Sequence, residues 1–434
     1  MNRHISLDHS PKSKNDKLTK VVFYFTSGLA FIAPAMSVNY TDGIYLSVLS
    51  MVFSAWFLLP FTVKNLDLDF LEITMLFFWL FYCAFTLVDL SVRNEWDWKQ
   101  FQEPSRFVLL LPVFLMIRRY GFSESALRYG VLIGAVVAGL WGYYQKVELG
   151  TPRAMGDTNV QIAAFGDIGL ISGVLVVALF QPLWRHNHFW KLIALLGAAA
   201  GAYASLASGT KGGWISIPFL CWVLVELTDN PTYKKRFGVL GVFLLLAFMI
   251  WNVSPFIQDR VSVIGPAIYG YFVNGVVTDG SAGIRLAMWH VSSLIFIDNP
   301  LFGTGPNTFE FVKLAYIEQG LVSDKLAPFG HPHSQLFNSL VESGVFGPIM
   351  IYGIYLSFIL HCKRYLTMNK SLATAGILLA IGFMDFGLVE VIWDINIAGV
   401  FFNTMMVLIA GLLSYQARQL SNNSLVSETT GDRV

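Results

Sequence analysis

Long apolar segments alternate with short polar ones along this chain of 434 residues. A helix of about 20 apolar residues crosses the hydrocarbon core of a bilayer, and slightly shorter helices cross when their polar flanks reach the interface. The pattern predicts twelve such helices, over residues 21–36, 43–63, 70–89, 104–117, 129–147, 160–180, 190–207, 213–227, 237–253, 341–360, 372–388 and 396–416. The connections are short, except that residues 254–340 separate the ninth span from the tenth.

Composition indicates the same fold class. Hydrophobic residues make up 55% of the chain and charged residues only 13%, which excludes a soluble domain of this length. We therefore expect an all-α polytopic membrane protein with about 12 transmembrane helices, surrounded by membrane lipid, and nothing requires more than a monomer. The net charge of +1 gives no indication of a nucleic-acid partner.

Lysine and arginine favour the cytoplasmic side of a membrane, and here most of them fall in alternate connections. This pattern predicts a cytoplasmic N-terminal segment (1–20), nine spans (21–253), a loop on the outer side (254–340), three spans (341–416) and a cytoplasmic tail (417–434) that is polar enough to be disordered. Apolar spacing predicts helices over Ile284–Phe296 and Thr308–Gln319 within the outer loop.

The segment from Phe329 to Gly347 carries the first candidate chemistry. A helix is predicted from Gln335, which places His333 and Ser334 at its N-terminus, just after His331 and Pro332. The free N–H groups of a helix N-terminus attract anions and disfavour imidazolium, so His333 is a candidate general base beside a phosphate. Helix capping or packing is the alternative role. No third ligand stands at a recognised spacing from the two histidines, so no metal and no cofactor are predicted.

Three cations on the predicted outer side form the other candidates. Lys211 lies among small residues in the turn between the seventh and eighth spans, Arg285 begins the helix of the outer loop, and Arg153 follows the fifth span. Each could bind a diphosphate. A lysine reaching the interface and an ordinary arginine ion pair are the alternatives.

Acidic residues in or beside apolar spans leave a second interpretation open. Asp167, Asp385 and Glu390 are costly in a bilayer, and such residues serve either function or charge pairing. They would suit a transporter that moves protons or cations. Against it, the two halves of the chain lack the matching broken helices of an inverted repeat. GxxxG spacing at Gly130 and Gly134, and again at Gly197 and Gly201, indicates close helix packing.

Several motifs, in their order and spacing over nearly the whole chain, resemble those of a known family. They are Ser208-Gly-Thr-Lys-Gly-Gly-Trp214, Gly283-Ile-Arg285 followed by Trp289, Pro300-Leu-Phe-Gly-Thr-Gly305, and His331-Pro-His333 with Leu336. Together with the twelve spans and the large outer loop, they resemble the O-antigen ligase and polymerase superfamily of bacterial inner membranes, whose fold is of the GT-C glycosyltransferase type. Length and topology are most similar to the ligases.

The resemblance implies roles for individual residues. The essential loop histidine of the family corresponds to His333 and its loop arginine to Arg285, while Lys211 stands where most members have arginine. Lysine keeps the charge but loses bidentate binding. Ser334 stands where many members have asparagine after the histidine. The resemblance further implies substrate-binding roles for His331, Ser334 and Arg153.

The resemblance further implies metal-independent transfer of a polysaccharide, with inversion. The donor would be a glycan on undecaprenyl diphosphate, and the acceptor a sugar hydroxyl of lipid A-core, on the periplasmic face. An O-antigen polymerase is the nearest alternative, and a proton-coupled transporter the more distant one. The sequence leaves the donor glycan, the acceptor sugar and the linkage open.

Overall fold

The apolar segments of the sequence form helices. A computed structural model describes residues 17–64, 66–94, 96–157, 161–184, 187–210, 212–226, 232–253, 264–274 and 281–431, with isolated residues at 258, 262 and 277. Its helices are α1 (Lys17–Ala35), α2 (Thr41–Thr62), α3 (Phe70–Arg93), α4 (Trp98–Tyr120), α5 (Glu124–Tyr143), α6 (Ile162–Trp184), α7 (His188–Ser208), α8 (Gly212–Glu226), α9 (Tyr233–Val253), α10 (Ile264–Asn274), α11 (Ser281–Asp298), α12 (Phe309–Glu318), α13 (Gln335–Ser343), α14 (Phe346–Arg364), α15 (Lys370–Val389) and α16 (Asn396–Gly431). The described ranges contain no strand.

Each of the twelve predicted spans coincides with a helix, and the chain is a polytopic helical membrane protein. Within the described residues, nine helices are long and apolar enough to cross a bilayer, namely α1, α2, α3, α5, α6, α7, α14, α15 and α16. Of the remaining three, α4 carries charged residues at both ends and α8 has only 15 residues. Among these nine helices α16 is the most buried, since 94% of its most apolar 18-residue stretch lies inside the protein.

Small residues let the spanning helices approach closely. A Cβ atom on Gly134 of α5 would lie 2.2 Å from the carbonyl oxygen of Pro34 in α1, and one on Gly201 of α7 would lie 2.4 Å from that of Gly169 in α6. Both contacts leave room for hydrogen alone. The close packing indicated by the GxxxG spacing is thus confirmed at these two glycines.

Buried ion pairs fix the end of the bundle where α4 ends and α5 begins. Arg118 Nε donates to Glu72 Oε1 at 2.7 Å, and Arg128 Nη2 donates to Glu124 Oε1 at 2.8 Å. Asn369, which precedes α15, also donates to Glu124. The first bond connects α4 to α3, and the last connects the start of α15 to α5. The two histidines lie at the opposite end of the bundle.

The long connection between α9 and α14 is folded where it is described. Ala287 and Met288 of α11 pack with Phe309 of α12, Leu326 and Val341 of α13. Helices α11 and α12 confirm the two predicted in this segment, and α11 extends beyond the predicted bounds. A small core of its own therefore positions α11 and α13 relative to each other.

The turn between α11 and α12 is hydrogen-bonded to the end of α13. Thr304 N donates to Val341 O at 2.8 Å, and Val345 N donates to Pro300 O at 2.8 Å. Gly303, at φ +64°, has space for hydrogen only, since a Cβ atom there would lie 2.4 Å from Val341 O. The motif Pro300–Gly305 thus has a structural role that the sequence did not reveal.

Two boundaries differ from the sequence prediction. The predicted tenth span begins at residue 341, but α13 ends at Ser343 and α14 begins at Phe346, because Gly344 at φ +57° breaks the helix. The segment predicted to be a disordered tail is helical as far as Gly431. It contains no proline, and no glycine occurs before that end, so nothing in it stops the helix. Residues 1–16 and 432–434 lie outside the described residues.

Candidate active site

The two histidines lie side by side just before α13. Their ring centroids are 4.2 Å apart, and the backbone N–H of His333 donates to Nδ1 of His331 at 3.3 Å. His333 has φ +48°, a left-handed conformation that is costly for a residue with a Cβ atom. Such backbone strain persists only where surrounding contacts enforce it, and it concentrates at functional sites.

A glutamate holds both histidines. Nδ1 of His333 is 3.2 Å from each carboxylate oxygen of Glu390, and Nδ1 of His331 is 3.6 Å from Oε1. Glu390 follows the last residue of α15, and its Oε1 also accepts a hydrogen bond from Val391 N at 3.0 Å. The carboxylate therefore lies at a helix end, where it faces the turn that carries the histidines.

This contact determines which nitrogen of His333 is free. With Nδ1 bonded to the carboxylate, Nε2 makes no hydrogen bond to any described residue. The side chain of His333 is 26% exposed, so Nε2 is within reach of a substrate. A carboxylate on one ring nitrogen orients the imidazole and stabilises its protonated form, which leaves the other nitrogen to accept a proton.

The ionisation of the cluster follows from burial and mutual contact. Burial acts to raise the pKa of Glu390, but the hydrogen bond from His333 and the charges of both histidines lower it below its ordinary value. Burial lowers the pKa of His331, and the carboxylate of Glu390 opposes that effect only in part. The arrangement therefore favours an ionised Glu390 beside a neutral His331 at neutral pH.

The start of α13 is fixed against α15 and the loop after it. Gln335 Oε1 accepts from the backbone N–H of Trp393 at 3.0 Å, and a Cβ atom on Gly387 would lie 3.1 Å from Gln335 Cβ. Ser334 is 2% exposed and caps α13 without a side-chain hydrogen bond. These contacts hold His333 opposite Glu390, and they place Ser334 inside the protein.

Arg285 approaches the same carboxylate from α11. Burial lowers the pKa of its guanidinium, and the charge of Glu390 acts against that effect. Its Nε atom is enclosed and has no hydrogen-bond partner among the described residues. One turn further along α11, the ring of Trp289 stacks on that of Phe337 in α13, at 5.4 Å. A cation with an unused donor thus interacts with the carboxylate to which His333 is bonded.

A second group of candidates lies at the end of α7. Arg153 Nε donates to Ser208 O at 2.6 Å, and Thr210 Oγ1 donates to Ile162 O at the start of α6 at 3.2 Å. Lys211, the next residue, lies outside the described residues. Arg153 is therefore bound to the turn that leads into Lys211, and no contact between Arg153 and the histidines is recorded in the described part of the chain.

The first turns of α6 lie between the two groups. A Cβ atom on Gly166 would be 2.3 Å from Ser208 Oγ, so α6 and the turn after α7 are in contact there. The next residue, Asp167, is 2% exposed and interacts electrostatically with Glu390 and Asp385. The α6 helix thus contacts the Ser208 turn through Gly166 and faces the histidine cluster through Asp167.

Comparison with known proteins agrees with this geometry. Residues 196–352 match the model of the family described as O-antigen ligase. This match supports membership of the O-antigen ligase superfamily. A protein of Haemophilus influenzae (strain Rd), described as uncharacterized, is 22% identical over 311 residues, which cover 71% of this chain and 77% of that protein. The matched family segment runs from α7 into α14 and contains Arg285, His331 and His333, together with the position of Lys211.

Three residues of the site lie outside that family segment. Arg153, Asp167 and Glu390 come before or after residues 196–352. Arg153 is bonded to Ser208 and Glu390 to His333 within that segment, while Asp167 interacts electrostatically with Glu390. Sequence reasoning noted Glu390 only as an acid near a span and did not pair it with His333. The sole hint was an ionisable residue at the end of an apolar helix.

The same cluster contains a set of potential metal ligands. One atom each of His331, His333 and Glu390 lie within 4.8 Å of one another. Two imidazoles and one carboxylate are a donor set that zinc accepts. The sequence did not predict this set because the third donor is 57 residues away from His333. The three groups could therefore either hold a cation or bond to one another, and only the second arrangement leaves His333 free to act as a base.

Proposed function

We propose that this protein is an O-antigen ligase, which transfers a polysaccharide from undecaprenyl diphosphate to a sugar hydroxyl of lipid A-core. The observation that carries the proposal is the pairing of His333 with Glu390, which also interacts with the partly buried cation of Arg285. A base next to a cation is what glycosyl transfer from a diphosphate requires, since one group must accept a proton while another offsets negative charge. The superfamily whose model residues 196–352 match supplies the class of reaction.

The chemical step is a single displacement. Nε2 of His333 removes the proton of the acceptor hydroxyl as that oxygen attacks the anomeric carbon of the donor. The bond between that carbon and the phosphate oxygen breaks, and undecaprenyl diphosphate leaves with the electron pair. Attack opposite to the leaving group inverts the anomeric centre. Glu390 keeps Nδ1 of His333 protonated and stabilises the imidazolium that forms.

Cations stabilise the departing diphosphate. Arg285 interacts electrostatically with Glu390, Arg153 is bonded to Ser208 at the end of α7, and Lys211 follows Thr210 in the sequence. Electrostatic stabilisation of the charge that develops on the leaving group is stronger in an enclosed site than in water. The base accepts the proton of the acceptor, and the cations stabilise the leaving diphosphate. The proposed step therefore needs no metal.

The setting of the reaction follows from the proposed topology. The end of the bundle that carries the histidines would face the periplasm, and both termini would face the cytoplasm of a bacterium with an inner membrane. The polyprenyl chain of the donor and the acyl chains of the acceptor would then remain in the bilayer while their sugars meet at α13. A proton-gradient transporter is the alternative from another class, and uptake driven by such a gradient would be its test.

Deletion of the gene followed by gel analysis of the lipopolysaccharide tests the proposal. A ligase predicts a core without any polymer and accumulation of the lipid-linked polymer. A core that carries a single repeat unit would identify a polymerase of the same superfamily. Unchanged lipopolysaccharide would overturn both assignments.

A further inference from the structure

Two enclosed hydrogen-bond donors stand next to each other on α11. Nε of Arg285 and Nε1 of Trp289 are both buried, and neither has a hydrogen-bond partner among the described residues. Residues four apart lie on one face of a helix, so the two side chains are neighbours. A buried donor without an acceptor is costly and requires an explanation, and an acceptor that binds from outside the protein is one.

The position of Trp289 is set by packing. Its ring stacks on Phe337 at 5.4 Å with only 14° between the ring planes. Since Phe337 belongs to α13, two residues after Gln335, this contact ties the indole to the helix that carries His333 at its start. The N–H group is therefore held in place and does not rotate freely toward water.

The charge around the pair indicates what it would bind. Both atoms are donors, one of them on a guanidinium, and a charged donor prefers an anionic oxygen to a neutral one. Glu390 is the acid recorded as interacting with Arg285, and its oxygens are already bonded to His333 and to Val391. An anion from outside the protein is thus the fitting acceptor for both N–H groups.

We propose that Trp289 is a substrate-binding residue whose indole N–H and the Nε–H of Arg285 together bind the diphosphate of the lipid-linked donor. The inference rests on the proposed function for the identity of the anion and extends it by Trp289, a residue without a predicted role. Trp289 would donate a neutral, directional hydrogen bond to the leaving group, in addition to the charge supplied by Arg285.

Trp289→Phe is the sharpest test, because it removes one N–H and keeps an aromatic ring against Phe337. Binding of undecaprenyl diphosphate and of undecaprenyl monophosphate to the purified full-length protein in detergent is measured for both proteins. We expect the variant to bind the diphosphate about tenfold more weakly, with a smaller loss for the monophosphate. Trp289→His, which retains a ring N–H, should recover part of the affinity.

Trp79→Phe is the matched control. The indole N–H of Trp79 is also buried without a partner among the described residues, but its ring lies in the apolar core against Phe107 and Phe114. Its loss should leave diphosphate binding unchanged. Should Trp289→Phe not be recovered folded, Trp289→His decides. We expect it to bind the diphosphate more weakly than the wild type by less than about tenfold, with a smaller loss for the monophosphate, and equal losses for the two lipids would overturn the inference.

The outcomes separate this inference from the proposed function. Unchanged diphosphate affinity in folded Trp289→Phe would overturn the inference even if the wild-type protein ligates. Weakened binding in that variant, together with a wild-type protein that does not ligate, would support the diphosphate site and contradict the ligase. Equal weakening for Trp289→Phe and Trp79→Phe would assign the effect to stability and overturn the inference.

Discussion

Nδ1 of His333 lies 3.2 Å from both carboxylate oxygens of Glu390, although 57 residues separate the two in the chain. Two features bring them together. The left-handed backbone of His333 turns its ring away from the helix that follows, and α15 ends just before Glu390. The pair resembles the carboxylate and histidine of hydrolytic triads in its division of roles, with one group orienting and the other transferring the proton.

Replacing Glu390 by Gln should slow the reaction without unfolding the protein. We expect kcat to fall about 10- to 1000-fold, because the amide cannot stabilise the imidazolium and can select the wrong tautomer. Glu318→Gln, on an exposed position of α12, is the control. A wild-type kcat in Glu390→Gln would remove the pair from the mechanism.

The two cations should respond differently to an exchange of arginine and lysine. Arg285→Lys should lower kcat/KM for the donor by about tenfold or more, since a point charge replaces a planar set of donors. Lys211→Arg should retain activity, because the charge is kept and bidentate binding becomes available, whereas Lys211→Gln should lose it. Steady-state kinetics on the purified protein measure all three. Full activity in Lys211→Gln would exclude Lys211 from the diphosphate site.

Gly166→Ala should reduce ligation from a position outside the histidine cluster. The added methyl group would lie 2.3 Å from Ser208 Oγ and 2.8 Å from Thr210 Oγ1, so the turn that leads into Lys211 must shift. The matched control is Gly28→Ala in α1, where a Cβ atom would meet nothing within 4 Å. We expect about tenfold lower activity in the first variant and none lost in the second. Equal activities would show that this turn does not need its present position.

Glu342 predicts a pH dependence of stability. Burial raises its pKa to about 8, the neighbouring Glu103 adds to this effect, and the hydrogen bond from the backbone N–H of Asn307 opposes it. An unfolded carboxyl has a pKa near 4.3, so the folded state binds more protons over this interval and loses stability as the pH rises from about 4.3 to about 8. The side chain of Glu342→Gln does not titrate, and its amide oxygen can still accept the hydrogen bond from the backbone N–H of Asn307.

Thermal unfolding in detergent at pH 5 and pH 8 measures the effect. The melting temperature of Glu342→Gln should exceed that of the wild type at pH 8, and the difference should shrink toward pH 5. A difference of the same size at both pH values would contradict the assignment of the proton to Glu342.

The sequence predicted what depends on local pattern. Apolar segments predicted the spanning helices, and the spacing of Ile284, Met288 and Val291 predicted α11. His333 was placed at the start of α13 because Gln335 begins an amphipathic run. Each of these depends on neighbours within a few turns, where helix periodicity alone determines the outcome.

The contacts that complete the site depend instead on how distant segments pack. No periodicity relates Glu390 to His333, or Ser208 to Arg153. The stacking of Trp289 on Phe337 likewise arises from the small core shared by α11, α12 and α13. The helix break at Gly344 was missed because the apolar pattern continues through it, although a glycine at positive φ ends the helix there.

The most direct test of the account is ligation by the purified protein with His333 replaced by Ala. The assay uses lipid-linked polysaccharide and lipid A-core in detergent, with a chelator present throughout. We expect that the wild-type protein keeps its rate in the chelator, and that His333→Ala loses at least about a hundredfold in rate while still binding the donor. A wild-type rate in His333→Ala, or wild-type activity that returns only with a divalent cation, would contradict it.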